Sequence, residues 1–130
     1  MQTSFTPPLL RRYFLLASFL LTASLAIAGP GALEDLVGSW VRPDGGYKLV
    51  VKSVAADGQA VVEYFNPSPI HVSEAHATIK DGVPILDVKF DDVNYTGSTY
   101  HLTLSPDKKR LDGKYYQAVQ KQTYEIFFER

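Results

Sequence analysis

The sequence has no cysteine among its 130 residues. That excludes disulfides, Cys-ligated zinc, thiol redox chemistry and a lipid-modified cysteine at a processed N-terminus, so burial of apolar surface has to hold the fold together. Histidine is scarce, with only His71, His76 and His101. His71 and His76 are five apart, so on one strand they face opposite sides and cannot clamp one metal. No G-x-S-x-G elbow, H-E-x-x-H helix, P-loop or dinucleotide glycine pattern occurs, and no EF-hand spacing. Beyond the first dozen residues there is no basic cluster, which argues against nucleic acid or an anionic membrane surface as partner.

Long apolar runs are also missing, with one informative exception. Arg11 and Arg12 precede an apolar stretch from Tyr13 to Leu25, and Ala26-Ile27-Ala28 follows with a small-x-small pattern. Charged n-region, short h-region and cleavage pattern together read as a secretory signal peptide over residues 1–28. The stretch is shorter than the roughly 18–20 apolar residues that span a bilayer, so no stable membrane anchor is expected after cleavage. "RRYFLL" also resembles the twin-arginine export signal, with Leu10 and Leu16 departing from its usual polar and lysine positions. Cleavage leaves 102 residues, enough for one domain with one modest core. Two of the 13 basic residues go with the leader and all 14 acidic ones stay, giving the mature chain a net charge of −3. The expected location is periplasmic or secreted.

After a short segment, residues 29–37, in which Pro30–Val37 fits one helical turn, every signal is β. Clusters such as Pro43-Asp44-Gly45-Gly46, Asp57-Gly58, Asn66-Pro67-Ser68-Pro69, Asp81-Gly82 and Pro106-Asp107 supply the positive-φ and fixed-φ positions of tight turns. Between them lie eight runs: Ser39–Arg42, Tyr47–Val54, Gln59–Phe65, His71–Lys80, Ile85–Asp91, Thr99–Ser105, Leu111–Val119 and Thr123–Arg130. Leu86, Val88 and Phe90 interleave with Asp87, Lys89 and Asp91, the period of a strand with one buried face. Even turn spacing with no long crossover makes a meander, and closing it removes two raw edges. A two-sheet sandwich would need longer Greek-key connections. The expectation is all-β: a single eight-stranded antiparallel up-and-down barrel over residues 38–130.

Gly38-Ser39-Trp40 on the first strand, with Arg130 ending the last, resembles the pattern of the calycin superfamily, which includes lipocalins, fatty-acid-binding proteins and avidins. The resemblance covers architecture across residues 38–130 and no ligand contacts. It implies that Trp40 closes one end of the barrel and that Arg130 packs across its ring. Alternation independently puts Tyr124, Ile126, Phe128 and Arg130 on one face.

By the same parity Tyr47, Tyr64, His71, Tyr100, Tyr115, Gln117 and Tyr124 point inward, and Asn66 sits near one mouth. Gly113 marks a bend or a close approach. Several Tyr hydroxyls and a Gln need partners inside, since an unpaired buried hydroxyl costs about 1–3 kcal/mol. Such an interior is either packed with its own side chains or holds one small ligand. The sequence therefore points to a non-enzymatic binding module, with Tyr64, Asn66, His71, Tyr100, Tyr115 and Gln117 around a small amphipathic molecule, no cofactor and no metal. The other reading is a filled barrel that meets a protein partner through Asn66–Ile70 and Val93–Ser98, with exposed Tyr95, Tyr116 and Phe127 as anchors.

Overall fold

The computed structural model describes residues 32–130 together with the isolated positions Gln2 and Ser4. The leader expected over residues 1–28 otherwise lies outside the described residues. Leu33–Leu36 form one 3₁₀ turn, in which the Asp35 carboxylate accepts a hydrogen bond from the Ala32 N–H at 2.9 Å. Among the described residues no helix is long and apolar enough to cross a membrane.

Nine strands follow: β1 (Gly38–Val41), β2 (Lys48–Val54), β3 (Ala60–Phe65), β4 (Pro69–Ile70), β5 (Val72–Lys80), β6 (Val83–Phe90), β7 (Thr99–Leu104), β8 (Arg110–Gln117) and β9 (Gln122–Glu129). All pairings are antiparallel, in the order β4-β3-β2-β1-β9-β8-β7-β6-β5. The first and last strands meet at Val41↔Glu129. The two ends of the sheet come round to each other through the Gln59↔His76 bridge and the Ala77 N–H to Gly58 carbonyl bond of 2.7 Å. The result is a nearly closed up-and-down barrel.

The expected count of eight strands is corrected to nine. The additional strand is Pro69–Ile70, which folds back on Tyr64 and Phe65 across a tight turn closed by the Asn66 N–H to Ser68 carbonyl bond of 3.0 Å. Sequence reasoning assigned these residues to a stiff loop because Pro67 and Pro69 pre-set φ as turn residues do; Pro also lacks a backbone donor. On an edge strand that donor is not needed.

Turn chemistry behaves as its residues dictate. Asp81 and Gly82 both take positive φ, 52° and 76°, the conformation of a two-residue hairpin turn between β5 and β6. Gly113 answers to a close approach: a Cβ there would stand 1.8 Å from the His101 carbonyl oxygen of the neighbouring strand.

The barrel is solid through its middle. Leu49, Val51, Leu86, Val88, Leu102, Leu111 and Phe128 are buried, as alternation requires. Tyr64, Phe90, Tyr100 and Phe128 pack in sequence across it, with ring centroids 4.8, 5.6 and 5.2 Å apart. Each such large apolar side chain contributes roughly 1.5–3 kcal/mol by leaving water. One end is closed by Leu36 and Trp40, whose indole N–H donates to the Leu36 carbonyl at 2.9 Å. The other end, where the β1–β2, β3–β4, β6–β7 and β8–β9 connections gather, is open.

Candidate functional site

At the open end β1 finishes one residue beyond Trp40, and Arg42, two residues from Trp40, points to the same inner face. Its backbone N–H donates to the Tyr47 carbonyl at 3.1 Å, closing the turn that carries Asp44. The Arg42 side chain is held from several sides. Nη1 donates to the Tyr100 hydroxyl at 2.9 Å, Nε and Nη2 donate to the Asp44 carboxylate at 2.9 and 2.6 Å, and the guanidinium lies 4.1 Å over the Tyr47 ring. The Tyr100 hydroxyl is also 2.9 Å from that of Tyr64. Among the described residues no buried side-chain polar atom lacks a partner, so the polar interior is satisfied from within.

The electrostatics follow from this geometry. Burial disfavours the Arg42 charge, but the hydrogen bonds it donates to Asp44 and Tyr100 outweigh that and raise its pKa further. The Arg42 hydrogen bonds hold the Asp44 carboxyl below the usual carboxylate range. Burial pushes the Tyr100 hydroxyl up to about 12 and raises Tyr64 beyond the range in which it would ionise. The floor of the mouth is thus a fixed cation over two neutral phenols.

Above the floor is a cavity of about 470 Å³, open to solvent. Tyr115 packs on Tyr100 with centroids 4.9 Å apart and stacks with Tyr124 at 6.3 Å and 21°. Tyr95 stands edge-on to Tyr64 at 6.4 Å and accepts a hydrogen bond from Asn66 Nδ2. Gln117 Nε2 donates to the Asn94 carbonyl at 3.0 Å, tying the β6–β7 loop to the end of β8.

Of the expected site residues, Tyr64, Asn66, Tyr115 and Gln117 line this cavity. Tyr100 lies one layer below, fully buried, and meets the cavity through Arg42, Tyr64 and Tyr115. His71 does not belong with them. It is exposed outside the barrel, because a register shift between Val72 and Glu74 moves the inward set to Val72, Ala75 and Ala77 and breaks the parity that placed His71 inside. Tyr124 lines the mouth yet stays 42% exposed, since β9 runs past the end of β1 there. Tyr95, expected as an exposed anchor, is half-buried in the cavity wall, and Phe127 lies on the outer face under the Arg110 guanidinium at 3.8 Å. Tyr116 is exposed.

Sequence reasoning missed Arg42 and Asp44. The signal for Arg42 was present, two residues from Trp40 on one strand. Asp44 was readable only as a turn residue. At the closed end, the Arg130 guanidinium lies 4.0 Å over the Trp40 ring and donates to the carbonyls of Lys108, Val37 and Asp35 at 2.9, 3.1 and 3.0 Å. Among the described residues no group of three or more His, Asp or Glu side chains is placed to hold a metal ion.

No protein-family model matches this chain, and neither the curated proteins nor the solved structures yield a significant match.

Proposed function

We propose that the protein is an exported, non-enzymatic binding barrel of calycin type that holds a small amphipathic molecule in its open mouth. The observation carrying this reading is the cavity above Arg42, walled by Tyr47, Tyr64, Tyr95, Tyr115 and Tyr124. Concave sites with aromatic walls and a few placed polar groups are the usual form of small-molecule pockets. The phenol faces suit an apolar or planar body, and Asn66 and Gln117 supply directed hydrogen bonds at the rim. The Trp40–Arg130 closure accords with the calycin resemblance and leaves the opposite end for the ligand. The leader would deliver the protein to the periplasm or the medium, where it acts without a cofactor.

A second reading draws on the rim. Val93 and Val119, on the two loops flanking the mouth, are 78% and 63% exposed, which favours a protein partner seated over the same end.

Native mass spectrometry of the protein recovered from the extracytoplasmic fraction of its producing cells separates the two. An added mass of a few hundred daltons that leaves on denaturation, and is lost in Tyr115→Phe or Gln117→Ala, supports the small-molecule reading. A bare chain whose capture of a partner protein is weakened by Val93→Ser and Val119→Ser supports the other.

A further inference from the structure

Arg42 and Asp44 form an unequal pair. The Arg42 side chain is 9% exposed and held by Tyr100, Tyr47 and its own strand, whereas the Asp44 side chain is 57% exposed on a turn. Asp44 presents its two oxygens to the Nε and Nη2 edge of the guanidinium, the fork that carboxylates engage in parallel. Arg42 is the one cation among the described residues lining the cavity; Asp44 and Glu125 are its anions. Rotation of the exposed Asp44 side chain into water would bare the Nε–Nη2 edge toward the cavity, while the Tyr100 bond and the Tyr47 face keep the guanidinium in place.

We infer that the ligand of the mouth is a small carboxylate with an aromatic body, and that Asp44 occupies the seat its carboxylate takes on Arg42. This rests on the small-molecule reading above and names its ligand class. Asp44 keeps the buried charge paired while the site is empty and competes with any ligand that arrives. The competition is intramolecular, so it weakens every carboxylate ligand by the same factor and leaves neutral analogues untouched. The rings of Tyr115, Tyr124 and Tyr95 receive the aromatic body.

The test titrates 3-phenylpropionate and its neutral amide, 3-phenylpropionamide, onto the wild type and Asp44→Asn, with Trp40 emission verifying the fold of each. The expected result is carboxylate binding that tightens about tenfold in Asp44→Asn, the worth of one competing charge-assisted pair, with amide binding unchanged. In the wild type, the Arg42 Nε–H resonance should move on adding the carboxylate and stay still with the amide. Should Asp44→Asn fail to fold, that wild-type resonance decides alone. Equal binding of both probes with no dependence on Asp44, or an unmoved Arg42 resonance at saturation, overturns the carboxylate seat and leaves the mouth as a binding site. No binding of either probe to either protein overturns the carboxylate seat and removes the support for an aromatic ligand in the mouth.

Discussion

Arg130 lies over the face of Trp40, its guanidinium carbon 4.0 Å from the ring centroid, so the last residue of the chain covers the aromatic of the first strand. The contact ties β1 to the end of β9, two neighbouring strands whose register holds the single pair Val41↔Glu129. Stacking and hydrogen bonding act together here, because each guanidinium edge that does not face the ring donates to a backbone carbonyl.

Arg130→Ala should therefore loosen the closed end without unfolding the barrel. The side chain is largely exposed, so the expected cost is about 1–2 kcal/mol in urea unfolding. Trp40 is the only tryptophan, and its emission should shift to the red as its face is bared. An unchanged emission maximum would mean that Arg130 does not cover the ring in solution.

Gly113→Ala should be among the most damaging single substitutions. Its Cβ would fall 1.8 Å from the His101 carbonyl oxygen, which is backbone and cannot swing away. Relief requires separating β7 from β8, at a cost of about 3 kcal/mol or more. Gly46→Ala, where a Cβ meets nothing within 4 Å, is the matched control and should change stability by less than about 0.5 kcal/mol.

Tyr100→Phe removes the hydroxyl that links Arg42 to Tyr64 and leaves both short of a partner, costing about 1–3 kcal/mol near neutral pH. The same hydroxyl sets an alkaline limit. Burial pushes its pKa up to about 12 in the folded protein, against about 10 in an unfolded chain. The unfolded state releases this proton first. Its stabilising contribution is thus complete below about pH 10 and is lost as pH rises toward 12. Tyr64, raised further by burial, adds in the same direction. Unfolding midpoints measured from pH 8 to 11.5 should fall above pH 10, with a shallower slope in Tyr100→Phe.

His71→Ala should leave stability within about 0.5 kcal/mol of wild type and should not alter binding in the mouth, since the side chain is exposed outside the barrel. The backbone N–H of His71 donates to Asp92 at 2.8 Å and survives the substitution. Loss of probe binding in His71→Ala would restore that residue to the interior.

Much of the barrel was legible in the sequence because alternation and turn chemistry are local. Leu86, Val88 and Phe90 are buried as their spacing requires, and Asp81-Gly82 turns the chain as its residue types demand. Tyr64, Asn66, Tyr115 and Gln117 reached the mouth for the same reason: each lies on or beside a strand whose direction is unbroken. His71 failed because parity survives only until a bulge, and nothing in Val72-Ser73-Glu74 announces one. Tyr95 failed because a loop residue has no fixed alternation, so its direction into the cavity was unreadable.

By itself the sequence determined which residues alternate, where the chain turns, and that neither thiols nor a Cys-bound metal take part, because side-chain type and spacing act over a few residues. The tertiary structure alone decided that Pro69–Ile70 pairs as a ninth strand, that aromatic packing fills the middle of the barrel, and that Arg42 is a buried cation held by Tyr100 and Asp44. Those outcomes depend on which strands lie opposite one another across the barrel. Distance through space, not along the chain, sets both the burial of a charge and the partner that offsets it.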